Sequence, residues 1–445
     1  MSPSDDPAAR AEARLRVHAF LRARDTSEEE IARAEAEDVL DLLVAEQLLV
    51  PSRRRFTSGD VAERTGMSLD VLRRFWRALG FPDVAPDDPM FTDLDIEALL
   101  VLRSIIDLGV ADVETGVQLA RVIGSSMARI AEAEVSPALR GILTGAGSGD
   151  SVEAADRIAR MADVSLPAMA RLLDFVWRRH VQAAIRRAMS LRTSSGDGAL
   201  PVLAVGFADM VGFTTLSQQL SEEELAAVVG RFEELAHDTV TAGGGRVVKM
   251  IGDEAMFVAD SAPAAARIGL NLAEVYADDE LLSDVRVALA VGPVLVQDGD
   301  YYGPVVNLAS RVVSMAAPGS VLVTDDFHAA LENDAATRTT GASTSGDGDP
   351  GTAPEGEFAM QALRLRPVKD LGRVQLWVLY RPGAEPVADD RRMGRRWDRL
   401  ADVLLDLDDL RERGERLISA RVAARAARSG PGQADGGDAE GPELE

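Results

Sequence analysis

The chain reads as an all-α half followed by an α+β half, and three observations predict that division. Residues 1 to about 190 carry helical periodicity with few β-branched runs. The polar stretch "TSSGDG" (193–198) then interrupts the periodicity. From Pro201 the pattern becomes strand, helix, hairpin, helix, strand.

In the helical half, Ser27 followed by Glu30 is a capping-box signal, in which the Ser side chain accepts from an orphan helical N–H and the Glu answers it. Loop signals fall at "PDVAPDDP" (82–89) and "TGAGSGDS" (144–151), and a last helix is expected from about Leu166 to Arg192. These features divide the chain into a helical domain (1–165), a linker helix and linker (166–197) and an α+β domain (198–382). In the second domain "PVLAVGFADM" predicts a strand, "SEEELAAVVGRFEELAHDTV" a helix, "RVVKMIGDEAMFV" a hairpin, "SAPAAARIGLNLAEVY" a helix and "DVRVALAVGPVLV" a strand. Residues 337–357 are low in complexity and predict a disordered loop, after which "GRVQLWVLYRP" returns to strand text. Apolar Trp397, Leu400, Leu404, Leu407 and Leu410 predict a C-terminal helix (383–428), and 429–445 an acidic, disordered tail.

At 445 residues and 46% hydrophobic content, the chain has enough apolar material for two or three cores. No apolar run is long enough to span a bilayer, and the N-terminus has acids and alanines where an export signal needs basic and then apolar residues. The expected location is the cytoplasm, which the absence of cysteine also suits. With 73 acids against 48 bases the net charge is −25, so the molecule as a whole repels nucleic acid and anionic lipid.

Candidate chemistry gathers in the second domain. Asp209 ends the first strand, and Asp253 sits at the hairpin tip beside Gly252. If those strands are neighbours the carboxylates converge, as Mg²⁺ or Mn²⁺ with a triphosphate requires; the same spacing also suits two unrelated turn acids. By strand alternation Lys249 shares a face with Val247 and Ile251 and is expected to be as buried as they are. Further on, a helix from Gly303 sets Asn307 and Arg311 four residues apart on one face, within a segment of small and apolar residues expected to be largely buried.

The segments "FADMVGFT", "GGRVVKMIGDEAM", "VRVALAVG" and "GDYYGPVVNLASR", in that order over about residues 200–382, resemble the catalytic domain of class III nucleotidyl cyclases. The resemblance implies a ferredoxin-like βαββαβ palm with extra strands, in keeping with the element order above. It also implies that Asp209 and Asp253 hold two Mg²⁺ or Mn²⁺ ions, that Lys249 and Asp300 read the purine, and that Asn307 and Arg311 act on the transition state. Arg286 and Lys369 would contact the polyphosphate. Adenine offers an acceptor at N1 and a donor at its amine, which a Lys donor and an Asp acceptor match, so the implied substrate is ATP and the implied activity adenylyl cyclase. In this family the metal carboxylates come from one catalytic domain and the base-reading and transition-state residues from its partner, which implies a homodimer with two composite sites.

"FTSGDVAERTGMSLDVLRRFWRALGF", with the segment that follows to residue 106, resembles the helix-turn-helix of MerR-type regulators and would aim Arg73, Arg74 and Arg77 at a DNA groove. The basic wing of that family is here the acidic "PDVAPDDPM", which argues against DNA. The helical half is similar to the regulatory domains of actinobacterial-type adenylyl cyclases. Regulation through it, by pH or a small ligand, is the corresponding expectation, with His180 beside Arg178 and Arg179 as the pH-sensitive candidate. The rival is a DNA-binding regulator whose cyclase domain only senses nucleotide. A diguanylate cyclase is a poorer match, because Ile251 and Ala255 break its hairpin signature.

Overall fold

The computed structural model describes residues 7–49, 55–145, 151–194, 200–342, 357–368 and 371–386. The chain forms two units, Met1–Thr193 and Ser194–Glu445. The expected C-terminal helix and acidic tail lie almost wholly outside the described residues, as does Lys369.

The first unit is helical: α1 (Pro7–Arg22), α2 (Glu28–Ala36), α3 (Leu40–Leu49), α4 (Ser58–Thr65), α5 (Leu69–Ala78), α6 (Asp93–Asp107), α7 (Val113–Gly145) and α8 (Ser151–Ser194). Ser27 and Glu30 form the reciprocal capping box at the start of α2. Thr57 with Asp60, and Thr92 with Asp95, repeat it at α4 and α6. Two apolar clusters fill the unit, one around Val17, Leu21, Ile31 and Leu40, the other around Leu72, Phe75, Phe91 and Leu99. The helix expected from about Leu166 begins instead at Ser151 and runs through Pro167. An internal proline forfeits one hydrogen bond and crowds the preceding turn. That penalty is offset upstream, where Val152, Ala155, Ile158 and Ala159 of α8 pack into the first of those clusters and hold the helix in place.

The second unit is built on β1 (Val202–Met210), α9 (Phe213–Leu216), α10 (Glu222–Ala242), β2 (Arg246–Ile251), β3 (Glu254–Ala259), α11 (Ala262–Asp278) and β4 (Val285–Pro293). This is the expected βαββαβ order, closed by the Gly252-Asp253 turn between β2 and β3. It continues with β5 (Leu295–Gln297), β6 (Asp300–Tyr302), α12 (Pro304–Val313), β7 (Val321–Thr324), α13 (Asp325–Ala342), β8 (Ala359–Ala362), β9 (Arg366–Val368), β10 (Gly372–Val374) and β11 (Leu376–Tyr380). Because α13 continues through Ala342, the first residues of the expected loop 337–357 are helical.

Seven strands form one sheet in the order β2-β3-β1-β4-β7-β11-β8. One face packs on α10, α11 and α13 through Phe232, Val240, Ile268, Leu272, Tyr276 and Phe327. On the other face lies α12, whose Val305, Val306, Ala309, Val312 and Val313 cover Phe207, Met256, Ala288 and Ala290. Alternation along β1 assigns each side chain to one layer: Ala204 and Ala208 to the first, Leu203, Val205 and Phe207 to the second. Asp209 therefore points to the α12 side. No described helix is long and apolar enough to cross a membrane.

Candidate active site

β1 is the central strand at this end of the sheet, and Asp209 is the register partner of Glu254 on β3 and of Arg286 on β4. Directly opposed residues share a face, so a Glu-Asp-Arg row crosses three strands on the α12 side. The Arg286 guanidinium stands 3.7 Å from the Asp209 carboxylate. Asp253 sits in the turn just before Glu254, and its carbonyl accepts from the Met210 N–H at 3.0 Å, which holds the hairpin tip against the end of β1.

Three carboxylates and one guanidinium leave the corner electrostatically short of positive charge. Burial, reinforced by the charge of Asp253 and opposed by Arg286, raises the Asp209 carboxyl above its ordinary range. Burial and then the charges of Asp209 and Asp253 push Glu254 up to about 7. Glu254 Oε1 and Arg286 Nε are both buried without a hydrogen-bond partner among the described residues. Sequence reasoning passed over Glu254. Once Asp253 is placed in the turn, strand alternation puts Glu254 on the face of Met256 and Val258, and that was the signal available.

Lys249 and Asp300 meet: Nζ lies 2.5 Å from Oδ2, while Oδ1 accepts the Tyr301 N–H at 2.8 Å. The expectation that Lys249 shares a face with both Val247 and Ile251 holds for Ile251, which opposes Glu254, and fails for Val247; none of the three is fully buried. β2 carries a bulge between Val247 and Lys249, so Val247 opposes Phe257 of one layer and Lys249 opposes Met256 of the other. The lysine side chain is 37% exposed, and Ile251 is 48% exposed. Asp300 comes from the β5–β6 ribbon, whose Asp298-Gly299 turn has positive φ at both residues, as a two-residue type I′ hairpin requires.

Asn307 and Arg311 lie one turn apart on α12, as expected, although their face is the open one. Asn307 is exposed and Arg311 half-buried, while the valines of α12 point the other way. Among the described residues, no three His, Cys, Asp or Glu side chains converge closely enough to cage a metal. In the helical unit, Arg74 pairs with Glu114 at 2.6 Å and Arg77 with Asp83 at 2.9 Å, so two of the three arginines of the helix-turn-helix segment already face carboxylates.

Comparison with known proteins gives this arrangement its class. Residues 200–347 match the adenylate and guanylate cyclase catalytic domain, and residues 4–183 match the adenylate cyclase regulatory domain. An adenylate cyclase of Streptomyces coelicolor is 37% identical over 355 residues, covering 78% of this chain and 91% of the relative. One from Glutamicibacter nicotianae is 36% identical over 304 residues, covering 65% and 75%. A pH-sensitive adenylate cyclase of Mycobacterium tuberculosis is 33% identical over 297 residues, covering 65% and 74%. The second unit is thus a class III nucleotidyl cyclase domain, as its palm and motifs imply. The chain belongs to the actinobacterial-type adenylate cyclases, which join a regulatory domain to that catalytic domain.

Proposed function

We propose that the chain converts ATP to 3′,5′-cyclic AMP and pyrophosphate by two-metal-ion catalysis in two composite sites of a homodimer, under control of its helical domain. The observation that carries this reading is the corner on the α12 side of the sheet, where Asp209 stands between Glu254 and Arg286 with Asp253 at its edge.

The residues fit a divalent cation. Crowded carboxylates, two of them raised by burial, and a buried unpartnered Glu254 oxygen are what a missing positive charge leaves behind. The lack of a three-residue cage is no obstacle, because Mg²⁺ is ordinarily held by one or two carboxylates together with substrate phosphates. Asp209 and Asp253 would hold two Mg²⁺ or Mn²⁺ ions. Bound there, the ions would favour ionisation of the ribose 3′-hydroxyl and neutralise the triphosphate.

The remaining work falls to side chains. The 3′-oxygen attacks the α-phosphorus and pyrophosphate leaves, so negative charge grows on the phosphate oxygens. Arg311 stabilises that charge, an effect of about 3–4 kcal/mol for a well-aimed donor in a dry site. Asn307 orients the ribose. Arg286, with its free Nε, and Lys369 draw the polyphosphate. Lys249 donates to adenine N1 and Asp300 accepts from its amine; guanine presents the reverse pattern.

Exposure supports the dimer. Asn307 and part of Arg311 face outward, and Ile251, Leu295, Val296 and Tyr302, on the two hairpins that Lys249 and Asp300 join, are each close to half exposed. DNA is not part of this reading, since Arg74 and Arg77 are paired and the chain is strongly anionic. Control by pH or a small ligand is proposed from the pH-sensitive relative and from exposed His180 on α8.

One set of assays tests these parts, with cyclic AMP formation by the full-length protein followed against Mn²⁺ concentration, nucleobase and pH. Asp209→Asn should weaken Mn²⁺ activation, and Lys249→Glu should abolish most ATP cyclisation while the protein stays folded. Near wild-type ATP turnover by Lys249→Glu would sink the base-reading role. A pH profile unmoved by His180→Ala would remove the histidine.

A further inference from the structure

We propose that Arg246 and Tyr301 are positioning residues for purine recognition: they anchor the ribbon that carries Asp300 and so set its spacing from Lys249. The inference rests on the proposed reading of Lys249 and Asp300 as the base-reading pair.

The ribbon is two three-residue strands that form their own sheet, outside the seven-stranded one. A lone two-stranded hairpin is marginal in water, so the place of Asp300 depends on what ties the ribbon to β2. Two polar contacts do so. Lys249 meets Asp300 at 2.5 Å, and Arg246 Nη2 donates to the Tyr301 hydroxyl at 3.5 Å. The first contact is shared with the base while a purine is read, because Lys249 Nζ and the Asp300 carboxylate then also meet N1 and the amine. The second uses no group the base needs and persists. Tyr301 also packs its ring against the α12-side core.

The bulge makes this arrangement possible. Residues three apart on a regular strand point to opposite faces. With one extra residue between Val247 and Lys249, Arg246 opposes Val258 and Lys249 opposes Met256, both in the α12-side layer. The two cations therefore stand on one face and reach neighbouring residues of the ribbon. Arg246 is in turn held by Asp260 at 3.0 Å. Arg246 is largely buried, and its Nη1 and Nη2 donate to Asp260 and the Tyr301 hydroxyl, which fixes the guanidinium between the end of β3 and the ribbon.

The test uses full-length Arg246→Met, Arg246→Lys and Tyr301→Phe, with kcat and KM for ATP and GTP in Mn²⁺ and a melting temperature for each. Small misplacements of recognition groups change rates steeply. Arg246→Met should therefore raise KM for ATP and lower the ATP-over-GTP ratio of kcat/KM, each by about tenfold, with kcat nearly kept and the melting temperature unmoved. Tyr301→Phe should shift both in the same sense by less, and Arg246→Lys should recover part of the loss. Lys249→Glu is measured alongside. If it destroys the preference for ATP while Arg246→Met leaves KM and the ratio at wild type, the anchor is overturned and the base-reading pair stands. If Lys249→Glu keeps the preference, the pair falls and the anchor with it. A loss of melting temperature and kcat without any change in the ratio would make Arg246 merely structural and overturn the proposal.

Discussion

Asp209, Asp253 and Glu254 crowd one corner against a single guanidinium, and that imbalance has a measurable consequence in the metal-free protein. The Glu254 carboxyl, pushed up to about 7 by burial and by the charges of Asp209 and Asp253, holds a proton between its ordinary value of 4.5 and 7 that the unfolded chain has released. The folded state binds more protons there, so stability falls as pH rises through that window and the penalty is complete above it. Glu254→Gln removes the charge at nearly constant shape. With chelator present, it should raise the melting temperature at pH 8 and leave it unchanged at pH 4.5. Because the group is partly open to solvent, the gain is discounted to about 1 kcal/mol, or some 2–4 °C. An equal gain at both pH values would show that its charge is not penalised. Asp209 and Asp253 were legible in the sequence because apolar runs end on them. Glu254 was not, since a lone acid at a strand start looks solvated until the register sets it opposite Asp209.

At the scale of elements, β1 works because one of its residues has no side chain. Gly206 opposes Phe257 on β3, and a Cβ placed there would come within 2.1 Å of the fully buried Phe257 ring. The ring lies over the glycine, so Gly206→Ala should cost about 1–3 kcal/mol through overpacking. Phe257→Leu destabilises alone by removing buried area, yet it also clears the space. The double mutant should therefore melt above the sum of the two losses; strictly additive losses in thermal unfolding of the four proteins would refute the clash. The βαββαβ core was legible because its strands are apolar runs and its helices carry a 3.6-residue period. The β2 bulge was not. Bulges carry no composition signal at this site, and alternation read through one assigns every residue beyond it to the wrong face, as happened with Lys249. The ribbon was passed over for a different reason: its strands are three residues each, too short for a period to show, although Asp298-Gly299 is a strong turn signal.

For the whole molecule, the proposed composite sites make a prediction that no single mutant can. One site would pair Asp209, Asp253 and Arg286 of one protomer with Lys249, Asp300, Asn307, Arg311 and Lys369 of its partner, and the two-fold axis would generate the reverse. Within one chain, Asp209 and Arg286 meet on β1 and β4 whereas Lys249 and Asp300 meet on β2 and the ribbon, so the two proposed half-sites would centre on different strand pairs. Asp209→Ala and Asn307→Ala homodimers should each be nearly inactive, because every site lacks one essential group. Co-folding equal amounts of the two mutants changes the arithmetic. Half of the dimers are then mixed, and in a mixed dimer both lesions fall in the same site and leave the other intact. Activity should therefore return to about a quarter of wild type. Mixing the mutants after each has folded should restore it only as fast as subunits exchange, which separates complementation from contamination by wild-type protein. Failure to recover activity when tagged purification shows mixed dimers would mean that each site lies within one chain. The outward-facing Asn307 and the exposed apolar residues of the two hairpins would then need another explanation.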